Sequence, residues 1–115
     1  DMNDVLTKLD KVLESRKHAD PATSYAARLF GEGLERILSK VDEESQEVIK
    51  AARQETEDHV VAEVADLWFH TLVLLHQQNR SGQDVLNTLD NRFGISGIEE
   101  KASRQTDVNK QESTD

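Results

Sequence analysis

Cysteine is absent from all 115 residues. That removes disulfides, thiolate metal sites and thiol nucleophiles, and it fits a reducing cytoplasm. The longest apolar stretch, Val60 to Leu75, is interrupted by charge at Glu63 and Asp66, and the opening DMNDVLTKLDKV lacks a basic segment followed by an apolar one. Neither export nor a membrane span is expected. Strand-like alternation and long internal repeats are also missing, which leaves an all-α reading. Basic residues are scarce: 14 Lys and Arg against 23 Asp and Glu give a formal charge of -9. A nucleic-acid polymer needs a basic stripe that displaces counterions from phosphates, so no such partner is expected. A single nucleotide remains possible, with divalent cations bridging carboxylates to phosphate oxygens.

The apolar residues that are present recur at helical spacing. Val5, Leu6, Leu9, Val12 and Leu13 predict an amphipathic helix over about residues 3 to 17. Asp20 is placed to cap a second helix with Pro21 at its first position. Tyr25, Leu29, Ile37 and Leu38 carry that helix towards Lys40, with Gly31 and Gly33 marking either a break or close packing. Asp42 opens a further predicted helix to about Gln54, and Thr56 caps a long one to about Gln78. Residues 60 to 75 are apolar almost all round, which predicts a central helix covered by other helices or by a second subunit, with Trp68 and Phe69 in that packing. A short helix starts near Ser81 and stops near Gly94. Capping-box spacing over Ser96 to Glu99 predicts a last turn, and residues 105–115 read as a disordered tail behind a 1–104 domain.

Within this pattern two acidic pairs stand out. Glu63 and Asp66 share one face of the most apolar helix, where bare like charges are costly unless protonated, paired or bound to metal. His70 lies on the same face and can serve as a hydrogen-bond partner of a ligand carboxylate or as a satisfied core histidine. Glu44 and Glu47 repeat the spacing on the preceding helix, across a connection short enough to make the two helices antiparallel neighbours. Taken alone, that second pair also reads as a solvated surface. Four converging carboxylates suit Mg²⁺ or Mn²⁺, hard cations that take oxygen ligands.

The spacing Glu44-x-x-Glu47, fifteen residues, Glu63-x-x-Asp66 resembles the metal motif of the MazG-like all-helical nucleotide pyrophosphohydrolases. More narrowly, RKHADPATSYAARLFGEGLERILSKVDEESQEV and EVADLWFHTLVLL are similar to the phosphoribosyl-ATP pyrophosphohydrolase family of histidine biosynthesis, over nearly all of residues 4 to 104. Ser24-Tyr25, Lys40, Glu43-Glu44 and Ala65-Asp66-Leu67 make the resemblance specific. It departs from the family at Asp42, where a KxGEE segment usually carries glycine.

The resemblance implies an all-α, MazG-like bundle of about four to five helices, assembling as a homodimer in the cytoplasm, in the form without a fused phosphoribosyl-AMP cyclohydrolase. It implies hydrolysis of phosphoribosyl-ATP to phosphoribosyl-AMP and pyrophosphate, with Mg²⁺ on Glu44, Glu47, Glu63 and Asp66 and an activated water as nucleophile. Glu43 is the candidate to orient or deprotonate that water, a role open equally to a carboxylate of the cluster such as Glu47. Candidate substrate contacts are Arg16, Lys17, Ser24, Tyr25, Lys40, Lys50 and His70. Of these, Lys50 reads equally as a helix partner of Glu47, and Arg16 and Lys17 as surface or capping groups. Two alternatives remain: a MazG-like enzyme acting on other nucleoside triphosphates, and a non-catalytic helical interaction module whose acids only solubilise it.

Overall fold

A computed structural model of the chain describes residues 2–54 and 56–94. Among them every regular element is helical. Helix α1 spans Met2–Arg16, a 3-10 turn spans Pro21–Thr23, and α2 to α5 span Tyr25–Glu32, Leu34–Gln54, Glu57–Gln77 and Gly82–Phe93. The final turn predicted over Ser96 to Glu99 and the predicted tail from residue 105 lie outside the described residues. Two compact units divide the chain, Asp1–Ser81 and Gly82–Asp115. In the second, α5 stops before Gly94, as its sequence predicts.

In the first unit α3 and α4 make the most extensive contact, as the two-residue connection between them requires, while α1 and α2 pack against each other and on α4. Leu13, Leu29, Ile37 and Val73 are fully buried, one from each helix. Leu6, Leu9, Phe30, Phe69, Leu74 and Leu75 pack around them. Among the described residues helix α4 is not covered all round, because Val61 and Trp68 remain 68% and 52% exposed.

The helix boundaries between residues 20 and 42 differ from the sequence reading in an instructive way. Asp20 does cap, its side chain accepting from the Ala22 amide, but what it caps is only the 3-10 turn. Ser24 restarts the chain, and its hydroxyl oxygen accepts from the Ala27 amide 3.0 Å away as the true cap of α2. The two glycines divide the two explanations offered for them. A Cβ on Gly31 would lie 2.9 Å from Pro21 Cγ, so it serves close packing. Gly33, with φ 99° and ψ -179°, is the break.

No helix starts at Asp42. The acids there resemble a first helical turn, but Ile37, Val41, Glu44, Val48 and Ala51 continue one stripe through it. Gly33 therefore sets the direction in which α3 leaves α2. Its backbone region is close to glycine-only, so Gly33→Ala should cost about 1–3 kcal/mol despite open space around the new methyl group. A urea titration checks this, and an unchanged midpoint would show that the backbone relaxes there.

The far end of α4 is tied to α1 by His76, a buried side chain between two carboxylates. Its Nδ1 lies 2.8 Å from Glu14 Oε1 and its Nε2 2.8 Å from Asp10 Oδ1. Carboxylates only accept, so this arrangement has the ring donating at both nitrogens. The His76 hydrogen bond holds the Glu14 carboxyl below its ordinary range, against the opposing effect of burial and with help from Lys17.

Candidate metal centre

Two periodic stripes position the site. On α3 the stripe is Ile37, Val41, Glu44, Val48, Ala51, and on α4 it is His59, Glu63, Asp66, His70, Val73, each alternating steps of four and three. Both carry core residues at one end, Ile37 and Val73, which are fully buried. Seven residues further along each helix from that core, about 10 Å in helical rise, the stripes carry Glu44 and Asp66. Carboxylates thus occupy positions where the pattern calls for apolar side chains.

Glu44, Glu63 and Asp66 converge, offering one oxygen each, with all three within 4.8 Å of one another. The Glu44 side chain is 12% exposed and that of Glu63 17%, while Asp66 opens to solvent. Burial pushes the Glu44 carboxyl up, and the nearby charges of Asp66 and, less, Glu63 add to it, while Lys40 and His70 pull it back without restoring its ordinary value. Lys40 Nζ lies 3.7 Å from Glu44 and 3.3 Å from Glu43. Burial alone would lower Lys40, but the Glu43 hydrogen bond together with Tyr25 and Glu44 raises it, so it keeps its charge. One ammonium is shared between two acids, and the Glu44 carboxyl stays raised.

A divalent cation would offset both the burial and the like charges around Glu44. An octahedral ion with bonds near 2.1 Å holds its ligand oxygens roughly 3 to 4 Å apart, so the three carboxylates match such a donor set with small side-chain movements. Zinc is disfavoured by oxygen-only ligands. A cation and a proton compete for Glu44. Because its pKa is raised, cation binding should release protons on mild acidification, and affinity should fall as pH drops through that range. Calorimetric titration with Mn²⁺ in two buffers of different ionisation heat tests this, and equal apparent enthalpies in both would refute the competition.

The other sequence candidates fall in several places. Glu47 is half-buried and is not one of the three converging carboxylates. Glu43 is exposed and hydrogen-bonded to Lys40. Lys17 donates to Asn79 Oδ1 at 2.8 Å and lies 3.6 Å from Glu14, so it is engaged in the α1 to α4 contact. Arg16 is half-buried and Lys50 exposed, and neither makes an ion pair with the three carboxylates. Ser24 is the helix cap.

Tyr25 and His70 meet directly, hydroxyl to Nε2, at 2.8 Å, while His70 Nδ1 lies 2.8 Å from the backbone carbonyl of Asp66. His59 is not among the sequence candidates. It sits 3.0 Å from Glu63, and the signal was available in its i,i+4 spacing ahead of that residue.

Comparisons with known proteins bear on this centre. The family profile described as phosphoribosyl-ATP pyrophosphohydrolase matches residues 6–93. A protein of Hydrogenovibrio crunogenus named phosphoribosyl-ATP pyrophosphatase is 52% identical over 106 residues, covering 89% of this chain and 94% of the relative. Relatives of the same name from Ruthia magnifica and Methylococcus capsulatus are 50% and 51% identical, over 90% and 89% of this chain and 98% and 97% of their own lengths.

Proposed function

The chain belongs to the phosphoribosyl-ATP pyrophosphohydrolase family, and from that premise we propose that it hydrolyses phosphoribosyl-ATP to phosphoribosyl-AMP and pyrophosphate, the second step of histidine biosynthesis. The observation that carries this reading to particular residues is the convergence of Glu44, Glu63 and Asp66 on one point between α3 and α4.

These three carboxylates hold the cation, Mg²⁺ in preference to Mn²⁺, with Glu47 beside them on α3. Bound there, Mg²⁺ supplies Lewis acidity that neutralises triphosphate charge and lowers the pKa of a water. The protein's own groups do the rest. Lys40 offers a compact positive charge to a phosphate oxygen, for which it exchanges Glu43 or Glu44. Glu43, exposed one turn from Lys40, then becomes available to orient the water or take its proton, a role that Glu47 shares as an alternative. Arg16, Lys17 and Lys50 supply phosphate contacts only by leaving the positions described above. No protein nucleophile is needed.

The enzyme acts in the cytoplasm as a homodimer. The open apolar side chains of α4, Val61 and Trp68, support the pairing of two copies, and none of the described helices is long and apolar enough to cross a membrane. Light scattering on the eluting protein gives the mass directly. A monomer at micromolar concentration would end that part of the reading.

The functional test is pyrophosphate release from phosphoribosyl-ATP, with ATP and deoxynucleoside triphosphates as controls, each with Mg²⁺ and with chelator. Chelator-sensitive release from phosphoribosyl-ATP alone is the expected result. Turnover mainly of the simple triphosphates would reassign the substrate, and no turnover of any would overturn the enzymatic reading.

A further inference from the structure

Tyr25 opens α2, and its ring lies in an aromatic group with Phe69 and His70 from α4. It stacks on Phe69 at 6.1 Å and meets the His70 ring edge-on at 5.7 Å. Phe69 and His70 are themselves edge-to-face at 5.2 Å, and the Arg28 guanidinium lies over the Tyr25 ring, 5.3 Å from its centre. The phenol is therefore held by neighbouring rings and a guanidinium, while Tyr25 stays 38% exposed.

His70 is buried and its two nitrogens have different partners. The Asp66 carbonyl can only accept, so Nδ1 carries a proton and donates to it across 2.8 Å. In the neutral ring this leaves Nε2 as a lone pair, and the Tyr25 hydroxyl, 2.8 Å away, must donate into it. The phenolic oxygen then has no proton left to offer. It keeps only lone pairs.

Phosphate oxygens are themselves acceptors, so a tyrosine locked in this way is a poor phosphate ligand. What it can bind is a donor. The substrate's ribose hydroxyls are donors too, but the attacking water is the donor that must lie beside the carboxylates, and Tyr25 is joined to Asp66 through His70. We propose that His70 is a positioning residue that fixes Tyr25 as an acceptor-only oxygen, and that this oxygen takes a hydrogen bond from the attacking water. One water proton then points at Tyr25 and the other is left for a carboxylate base, which aims an oxygen lone pair at the phosphorus. Tyr25 gains and loses no proton in this step. The assignment rests on the hydrolytic reading above for the water, and on the hydrogen-bond geometry alone for the tautomer.

Imidazole ¹H–¹⁵N correlation spectra of the metal-free protein at neutral pH read the tautomer without turnover, with the His70 signals identified by their loss in His70→Gln. A proton on Nδ1, an unprotonated Nε2 and a shift of Nε2 in Tyr25→Phe are expected. A proton on Nε2 overturns the assignment.

Kinetics on folded variants test the water. Tyr25→Phe should lower kcat about tenfold, the worth of one well-placed hydrogen bond, with KM changed less than about twofold. His70→Gln retains an amide oxygen to accept the phenol proton and should keep kcat within about threefold, whereas His70→Leu should match Tyr25→Phe. Equal losses in His70→Gln and His70→Leu, or a raised KM at unchanged kcat in Tyr25→Phe, overturn the proposal. A wild-type protein without turnover defeats the hydrolytic reading instead, and the spectra still decide the tautomer.

Discussion

Replacing Glu44 with glutamine should abolish metal-dependent turnover, by about a thousandfold or more, and at the same time raise the melting temperature of the metal-free protein. The two effects have one cause. Glu44 carries a carboxyl pushed up by burial and by Asp66 and Glu63, so its ionised form opposes folding when no cation is present. The sign follows from that direction: a raised carboxyl favours the folded state where it is protonated, and the benefit is lost as pH rises through its folded pKa. Glutamine keeps the shape and removes the charge.

The same change would delete one of the three oxygens that converge on the proposed cation position, and several kcal/mol of transition-state stabilisation would depend on that cation. Turnover assays with Mg²⁺ and thermal melts in chelator read the two halves separately. Retained turnover would remove Glu44 from the ligand set. A lowered melting temperature in chelator would mean that the Lys40 contact at 3.7 Å outweighs the repulsion.

Ile37→Ala should cost about 3–4 kcal/mol of folding stability, the range for removing a fully buried large aliphatic side chain. At this chain length that lowers the melting temperature by roughly 12 °C or more. Ile37 is fully buried on the α3 stripe, and Val73, fully buried on the facing stripe of α4, belongs to the same core cluster. Seven residues separate it from Glu44, so the variant should keep metal-dependent turnover at temperatures where it stays folded. Chemical denaturation gives the free energy, and a cost under about 1 kcal/mol would show that neighbouring side chains collapse into the space.

Periodicity and caps exposed most of this architecture in the sequence. Thr56 caps α4 as its position suggests, its hydroxyl oxygen accepting from the His59 amide, and the α1 stripe of Leu6, Leu9 and Leu13 faces the core. The stretch from Asp20 to Asp42 was less legible because cap signals compete there. Asp20, Ser24 and Asp42 all have side chains that favour a helix start, and only the packing of Gly31 on Pro21 and the positive φ of Gly33 decide among them.

At the site, the local i,i+3 spacing of Glu44 and Glu47 invites treating them as equals. The longer stripe separates them: Glu44 falls on the face bearing Ile37 and Ala51, and Glu47 falls one position off it. The cluster within 4.8 Å accordingly takes Glu44 and not Glu47. What no spacing rule reveals is the meeting of Tyr25 with His70, 45 residues apart, because it depends on how α2 crosses α4.

The clasp of His76 on Asp10 and Glu14 sets an order of events during synthesis. Its partners stand 62 and 66 residues apart in the chain, and the core position of Leu13 likewise needs Leu72 and Val73 from the same late helix. At a ribosomal pace of 5–20 residues per second, α1 waits roughly 3–12 s for its binding surface to emerge. Throughout that interval its leucines face solvent or a chaperone. The enzyme's first helix is thus among the last to find its place.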